Sequence, residues 1–165
     1  PLDQIAGGGG AIQTAEALTL QDSVLVGNLA NDGGAIYAPF TNPGTLIVRN
    51  TTVTNNVARF NGGGIDNNIG LLVLENSTVF GNAALNGDGG GIDAGFGNAQ
   101  VTLINATISN NSATDDGGGV FIFGQLNVYN STIAYNRAEA DAAPDPFVGT
   151  FGRGGGVYVD PTDPG

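Results

Sequence analysis

The chain has 165 residues, the length of one domain, and carries 15 acidic against 4 basic side chains, for a net charge of −11. Nucleic acids and anionic membranes are therefore excluded as partners, because both are negatively charged. The absence of cysteine and histidine excludes disulfides, thiolate metal sites and histidine catalysis, and no apolar run is long enough for membrane insertion as a helix.

Two phrases recur along the chain in one register, at intervals of about 27 residues. A glycine run ends in an aliphatic residue at Ile12, Ile36, Ile65, Ile92, Val120 and Val157. An aliphatic-x-aliphatic-x-[Asn/Asp] phrase begins at Leu18, Leu46, Leu72, Val101 and Leu126. The glycine runs and short alternating stretches disfavour helices. The sequence therefore predicts one all-β domain over residues 1–165, a single-stranded right-handed parallel β-helix of about five and a half coils.

Each coil is predicted to contain three short strands separated by corners. Stacking of coils places Leu25, Val53, Val79, Ile108 and Ile133 in one inward column. Asparagine suits the corners, because it tolerates the left-handed conformation and hydrogen-bonds neighbouring backbone. The first corner is predicted to form a structural ladder of Asn50, Asn76, Asn105 and Asn130 below Asp22, and the second a ladder of Asn28, Asn56, Asn82, Asn111 and Asn136.

One long insertion, residues 139–153, interrupts the repeat before the last coil. It is acidic, carries Phe147 and Phe151, and is expected to project as a loop. Beyond it the sixth coil is incomplete, and neither end shows a capping segment. Unpaired strand edges are therefore expected at both ends, where they are templates for pairing with another chain. The chain is either a processed subunit or a fragment of a longer passenger.

The repeat phrases resemble those of a known protein class. The Gly-Gly-Ala-Ile motifs at residues 9–12 and 33–36, with the aliphatic-x-x-Asn motifs at 53–56 and 79–82, are similar to the repeats of polymorphic outer-membrane proteins. They also resemble the wider class of pectate-lyase-like right-handed β-helices. The chain departs from the family pattern by having Val, Ile or Leu where Phe is usual. The resemblance implies this fold, an extracellular or cell-surface location, and secretion of the bacterial type.

Three sets of outward-facing residues are candidates for function. Asp66 and Asp93 follow the anchor isoleucine in consecutive coils, so their carboxylates are expected to project outward, one above the other. A threonine column on the second strand resembles a flat ice-binding face and consists of Thr52, Thr78, Thr107 and Thr132. An apolar strip for self-association is predicted from Ile47, Val73, Ile104 and Tyr129, which would bind Phe147 and Phe151 or a neighbouring filament. The acidic residues before the glycine runs, Asp32, Asp88, Asp115 and Asp116, are expected to be solvated turn residues.

These features predict a structural protein rather than an enzyme. Stacked carboxylates such as Asp66 and Asp93 can hold Ca²⁺ or do acid–base work, but their column contains only two acids and no basic residue. Neither a catalytic centre, a metal ion nor a cofactor is therefore predicted. The expected role is an extracellular or cell-surface solenoid that stacks head to tail into a filament or forms part of a larger surface or adhesin protein. The alternatives are a flat-face module that binds carbohydrate or ice and a degenerate polysaccharide lyase. Another copy of the chain is the expected partner, with polysaccharide the second.

Overall fold

The computed structural model describes residues 7–39, 44–68, 70–138 and 152–160, where the regular structure is entirely β. In this part of the chain there is no helix of the length and hydropathy needed to cross a membrane. The strands are β1 (Ile12–Gln13), β2 (Leu18–Gln21), β3 (Val24–Val26), β4 (Leu29–Ala30), β5 (Ile36–Ala38), β6 (Thr45–Arg49), β7 (Thr52–Thr54), β8 (Val57–Ala58), β9 (Ile65–Asn67), β10 (Leu71–Glu75), β11 (Thr78–Phe80), β12 (Ala83–Ala84), β13 (Ile92–Ile104), β14 (Thr107–Ser109), β15 (Ser112–Ala113), β16 (Val120–Tyr129), β17 (Thr132–Ala134) and β18 (Val157–Val159).

The strands form a parallel β-solenoid, because each one pairs with its equivalent in the neighbouring coil. One sheet contains β1, β2, β5, β6, β9, β10, β13, β16 and β18, a second runs β3-β7-β11-β14-β17, and a third runs β4-β8-β12-β15. A single bridge between Ser112 and Arg137 follows the last rung of the third sheet. About four turns are therefore complete in all three sheets, slightly fewer than predicted. The difference lies in the third sheet, whose fifth rung is reduced to the bridge at Arg137.

The hydrophobic core lies inside the coils, as the repeat predicts. Register pairs join Leu25 to Val53, Val53 to Val79, Val79 to Ile108 and Ile108 to Ile133. The anchor residues stack in the same way, from Ile12 through Ile36, Ile65, Ile92 and Val120 to Val157. Burial is greatest in the middle coils, where Val53, Val79 and Ile108 are fully buried.

Each glycine of the run has its own structural reason. Gly89 has a φ of 64°, a backbone conformation that is strained for most residues with a side chain. A Cβ on Gly90 would lie 2.3 Å from the carbonyl carbon of Ser112 in the next coil. A Cβ on Gly91 would lie 3.0 Å from Nδ2 of Asn111. Gly90 therefore lets the chain lie against the backbone of the third sheet, and Gly91 leaves room for the buried amide of Asn111.

The long strands β13 and β16 carry the main irregularity of the solenoid. Their register shifts between Ala94 and Ala99, so the two strands are bulged relative to each other. A hollow of about 240 Å³ lies beside the bulge and is lined by Ala99, Gln100, Gly124 and Gln125. None of these four residues is an acid, a base or a nucleophile.

Candidate functional site

The asparagine ladder at the second corner is buried and fully hydrogen-bonded in its three middle members. Oδ1 of Asn82 accepts from the backbone N–H and from Nδ2 of Asn56, both at 2.9 Å. Nδ2 of Asn82 in turn donates to Oδ1 of Asn111 at 2.9 Å and to the carbonyl of Val53 at 3.0 Å. Asn56, Asn82 and Asn111 therefore each use both amide hydrogens and both lone pairs of the oxygen. The same bonds link the ladder Asn28, Asn56, Asn82, Asn111 and Asn136.

The ladder at the first corner is different, because it is exposed. Asp22, Asn50, Asn76, Asn105 and Asn130 all have φ between 48° and 51°. Two side-chain bonds run along the axis here, from Nδ2 of Asn50 to Oδ1 of Asp22 at 3.0 Å and from Nδ2 of Asn105 to Oδ1 of Asn76 at 3.1 Å. The expectation that asparagine takes the left-handed conformation is correct here. At the second corner it is wrong, since the left-handed residue there is the one before the asparagine, at Gly27, Asn55, Gly81, Asn110 and Tyr135.

A third ladder precedes the glycine runs, where solvated turn residues were expected. Oδ1 of Asp32 accepts from the N–H of Asn61 at 3.3 Å, and Oδ1 of Asn61 accepts from the N–H of Asp88 at 3.0 Å. Oδ1 of Asp88 then accepts from the N–H of Asp116 at 2.8 Å. The carboxylate of Asp116 ends the series on Arg153, accepting from its N–H at 2.6 Å and from Nη2 at 2.9 Å. The signal was in the sequence, because an Asp or Asn stands directly before each of four glycine runs.

Asp66 and Asp93 occupy one outward column, and they are buried. The register pairs Tyr37 with Asp66, Asp66 with Asp93, and Asp93 with Phe121, so the predicted stacking is confirmed. Only 1% of Asp66 and 2% of Asp93 is exposed, which corrects the expectation of a solvent-facing pair. We call Asp66, Asp93 and the neighbouring Asn68 the acidic slot.

Glycine backbone covers the acidic slot closely. A Cβ on Gly62 would lie 2.6 Å from Cβ of Asp66. A Cβ on Gly95 would lie 3.3 Å from both carboxylate oxygens of Asp93, and the N–H of Gly95 donates to Oδ2 of Asp93 at 3.3 Å. A side chain at Gly62 would force the main chain apart, and one at Gly95 would fit only if a neighbour moved by a few tenths of an ångström. A period-two pattern cannot show this covering, because it reports only which side of the strand a residue faces.

The slot concentrates negative charge in a place that water does not reach. Burial raises the pKa of Asp93 to about 7, the charges of Asp88 and Asp32 raise it too, and the bond from Gly95 opposes them. Burial and the neighbouring Asp93 raise the pKa of Asp66 well above its usual range, against a hydrogen bond from Asn68. Oδ1 of Asp66, Oδ1 of Asp93 and Oδ1 of Asn68 accept no hydrogen bond from the described residues.

The predicted apolar strip is wrong as a single column. Ile47 pairs with Val73, but Val73 pairs with Thr102 in the next coil. Ile104 instead pairs with Glu75 and Tyr129, two positions further along the strand. Both columns face outward, so the alternation of inward and outward residues along the strand could not distinguish them. The proposed partners of the strip, Phe147 and Phe151, lie outside the described residues.

The threonine column does form. Register pairs join its four members Thr52, Thr78, Thr107 and Thr132, with Val24 in the first rung. The neighbouring outward column is mixed, containing Val26, Thr54, Phe80, Ser109 and Ala134. Phe80 is 41% exposed there, so it interrupts the flat hydroxyl surface.

A family model described as the Chlamydia polymorphic membrane protein repeat matches residues 22–39 and 105–122. The chain is a β-helix repeat protein that resembles these repeats. Both matched segments begin at a left-handed first-corner residue, Asp22 or Asn105, and run through the second sheet and a glycine run to the anchor strand. Neither a characterised protein nor a solved structure matches the sequence significantly.

Proposed function

We propose that this chain is a rigid structural solenoid of an extracellular or cell-surface protein, built to stack coil upon coil. The observation that carries the proposal is that two continuous side-chain ladders run along one axis. One links Asn28 to Asn136 through the buried Asn56, Asn82 and Asn111, and the other runs from Asp32 to Arg153. Such ladders add directional bonds to the backbone pairing, and they favour a stiff rod over a globule that closes around a ligand.

The cell-surface location is supported by the resemblance to polymorphic membrane protein repeats. It is also compatible with the composition, because a chain without cysteine folds without depending on the redox state of its compartment. An antibody raised against the chain should label intact cells of the source organism. Loss of that labelling after brief protease treatment of the cells would support exposure, whereas labelling only after permeabilisation would contradict it.

Head-to-tail self-association is the form of stacking that we propose. Within the described residues, β1 pairs only with β5, and β18 pairs only with β16. The N–H of Asp160 donates back to Ile122, and the N–H of Thr14 donates back to Tyr37. Hydrogen bonds alternate sides along a parallel strand, so the N–H groups of Val159 and Gln13 point away from the solenoid. These groups can extend the sheet onto another coil, either in a second copy or elsewhere in a larger surface protein.

Proline substitutions can test this edge pairing without disturbing the solenoid. Val159→Pro and Gln13→Pro remove N–H groups that face outward, while the inward bonds of their neighbours stay. Electron microscopy and light scattering at high concentration should show axial filaments for the wild type and short particles for both variants. The matched controls Val159→Thr and Gln13→Thr should still form filaments. If wild type and variants are all monomeric, stacking between copies is wrong.

We further propose that the chain is not an enzyme. Support comes from the acidic slot, which has no basic partner among the groups that act on its carboxylates, and from the inert lining of the hollow beside the bulge. Incubation with acidic polysaccharides should release no unsaturated product, measured by ultraviolet absorbance.

The threonine column is the feature that favours the alternative of a flat ice-binding face, and this alternative can be tested directly. Ice crystals grown in dilute protein should keep their normal shape, and shaping that Thr107→Val abolishes would favour that alternative.

A further inference from the structure

We propose that the acidic slot binds a divalent cation, Ca²⁺, between two consecutive coils. The first ground is the donor set, because Asp66, Asp93 and Asn68 supply only carboxylate and amide oxygens, the ligands that Ca²⁺ prefers. The second is that each of the three side chains is more than nine-tenths buried and retains an oxygen that accepts no hydrogen bond from the described residues. Buried oxygens are normally bonded, so three together indicate a missing electrostatic partner.

Charge favours a cation here more strongly than at an ordinary acidic surface. The further charges that act on Asp93 come from Asp88 and Asp32, and both are negative. Arg153, whose charge acts on Asp88, is paired with Asp116. Two adjacent buried carboxylates cannot both ionise without compensation, and a divalent ion supplies two positive charges at one point.

The spacing of the coils selects Ca²⁺ over the smaller Mg²⁺. Paired strands lie about 4.8 Å apart, so register partners such as Asp66 and Asp93 present their carboxylates at about that separation. Ca²⁺ binds oxygen at roughly 2.3–2.6 Å, which lets it bridge two oxygens roughly 4.6–5.2 Å apart. Mg²⁺ binds at about 2.0–2.1 Å and keeps its water more firmly, so it matches the same span less well. In the slot the ion would link adjacent coils by side-chain bonds, in addition to the backbone ladder.

The position of Tyr37 provides a direct optical readout. It is the register partner of Asp66, and its pKa is raised by its own burial and by the charge of Asp66. Tb³⁺ binds the same oxygen ligands as Ca²⁺ and emits when a nearby tyrosine is excited, and the chain has no tryptophan to interfere. At pH 7.5, chelator-treated protein should give tyrosine-sensitised Tb³⁺ emission that Ca²⁺ displaces at lower concentration than Mg²⁺.

Four substitutions assign that emission to the slot. Asp93→Asn keeps the acceptor for Gly95 but removes one charge, and should weaken Ca²⁺ binding about tenfold or more by calorimetry. Asp66→Asn should do the same, so the test survives if one variant misfolds. Tyr37→Phe should lose most emission and keep the Ca²⁺ affinity. The control Asp22→Asn removes an equal charge at an exposed corner where other coils carry asparagine, and it should leave both readouts unchanged.

Measurements on the wild type complete the test. Ca²⁺ should raise the thermal midpoint at pH 7.5 and have much less effect at pH 5, where protons compete for the carboxylates. Equal Ca²⁺ binding by Asp93→Asn and Asp22→Asn would show diffuse attraction to an acidic surface and overturn the proposal. If there is no Tb³⁺ emission and Ca²⁺ does not change the thermal midpoint, then Asp66 and Asp93 hold only a shared proton. That result would also overturn the proposal.

Discussion

Gly90 lies against Ser112 of the next coil so closely that a Cβ on the glycine would be 2.3 Å from both the carbonyl carbon and the oxygen of that serine. We expect Gly90→Ala to destabilise the solenoid by about 3 kcal/mol or more, because main chain must move to relieve the contact. Urea unfolding followed by circular dichroism measures this. Gly27→Asn is the control, since a Cβ there meets nothing and the equivalent residues Asn55 and Asn110 are already asparagine. If the two variants unfold alike, the contact is not structural.

The buried and exposed asparagines should differ sharply in their contributions to stability. Asn82→Ala leaves two donors of Asn56 and the carbonyl of Val53 without their partner, at about 1–3 kcal/mol for each unsatisfied buried group. Asn76→Ala removes one exposed bond and places alanine at a φ of 49°, at about 1 kcal/mol. The urea midpoint should therefore fall much further for Asn82→Ala. The reverse order would contradict the assignment of the two ladders.

Tyr135 offers a substitution that should increase stability. It has a φ of 57°, in the column where other coils carry glycine or asparagine, and 87% of it is exposed. Tyr135→Asn should raise the free energy of unfolding by up to about 1 kcal/mol, since asparagine tolerates that conformation better and little packing is lost. Tyr135→Val, which is β-branched, should lower it. A melting temperature that responds to neither variant would show that the corner carries no strain.

The acidic slot should make stability fall as pH rises when a chelator is present. The folded pKa of Asp93 is raised from 3.8 to about 7, so the folded chain keeps a proton that the unfolded chain has released. The stabilisation is full below about pH 4 and is lost as pH rises through about 7, and it amounts to at most about 4 kcal/mol. Asp93→Asn should flatten this dependence and be more stable than wild type at pH 8. Parallel profiles for the two proteins would be inconsistent with a raised pKa at this residue.

The sequence predicted the coil interior well, because one period determines it. Leu25, Val53 and Val79 stack as the alignment requires, since inward residues must meet their equivalents once the coils are in register. Outward positions are less constrained. Ile47 and Ile104 were assigned to one column because both face away from the core. The register places Ile104 two positions beyond the residue that stacks in the column of Ile47. The burial of Asp66 and Asp93 was not predicted, because a pattern of polar and apolar residues does not report how closely other parts of the chain pack against an outward position.

The repetition of identical bonds along the asparagine ladder has a consequence for how such a protein changes length. Asn56, Asn82 and Asn111 each meet the same kinds of partner above and below, so the chain between two equivalent positions can be duplicated or excised and the new neighbours still fit. Coil boundaries at Asn56 and Asn82 are 26 residues apart. Recombination between repeats would then lengthen or shorten the rod in whole-coil steps of about 4.8 Å. The number of repeats encoded in the gene would therefore set the length of the solenoid.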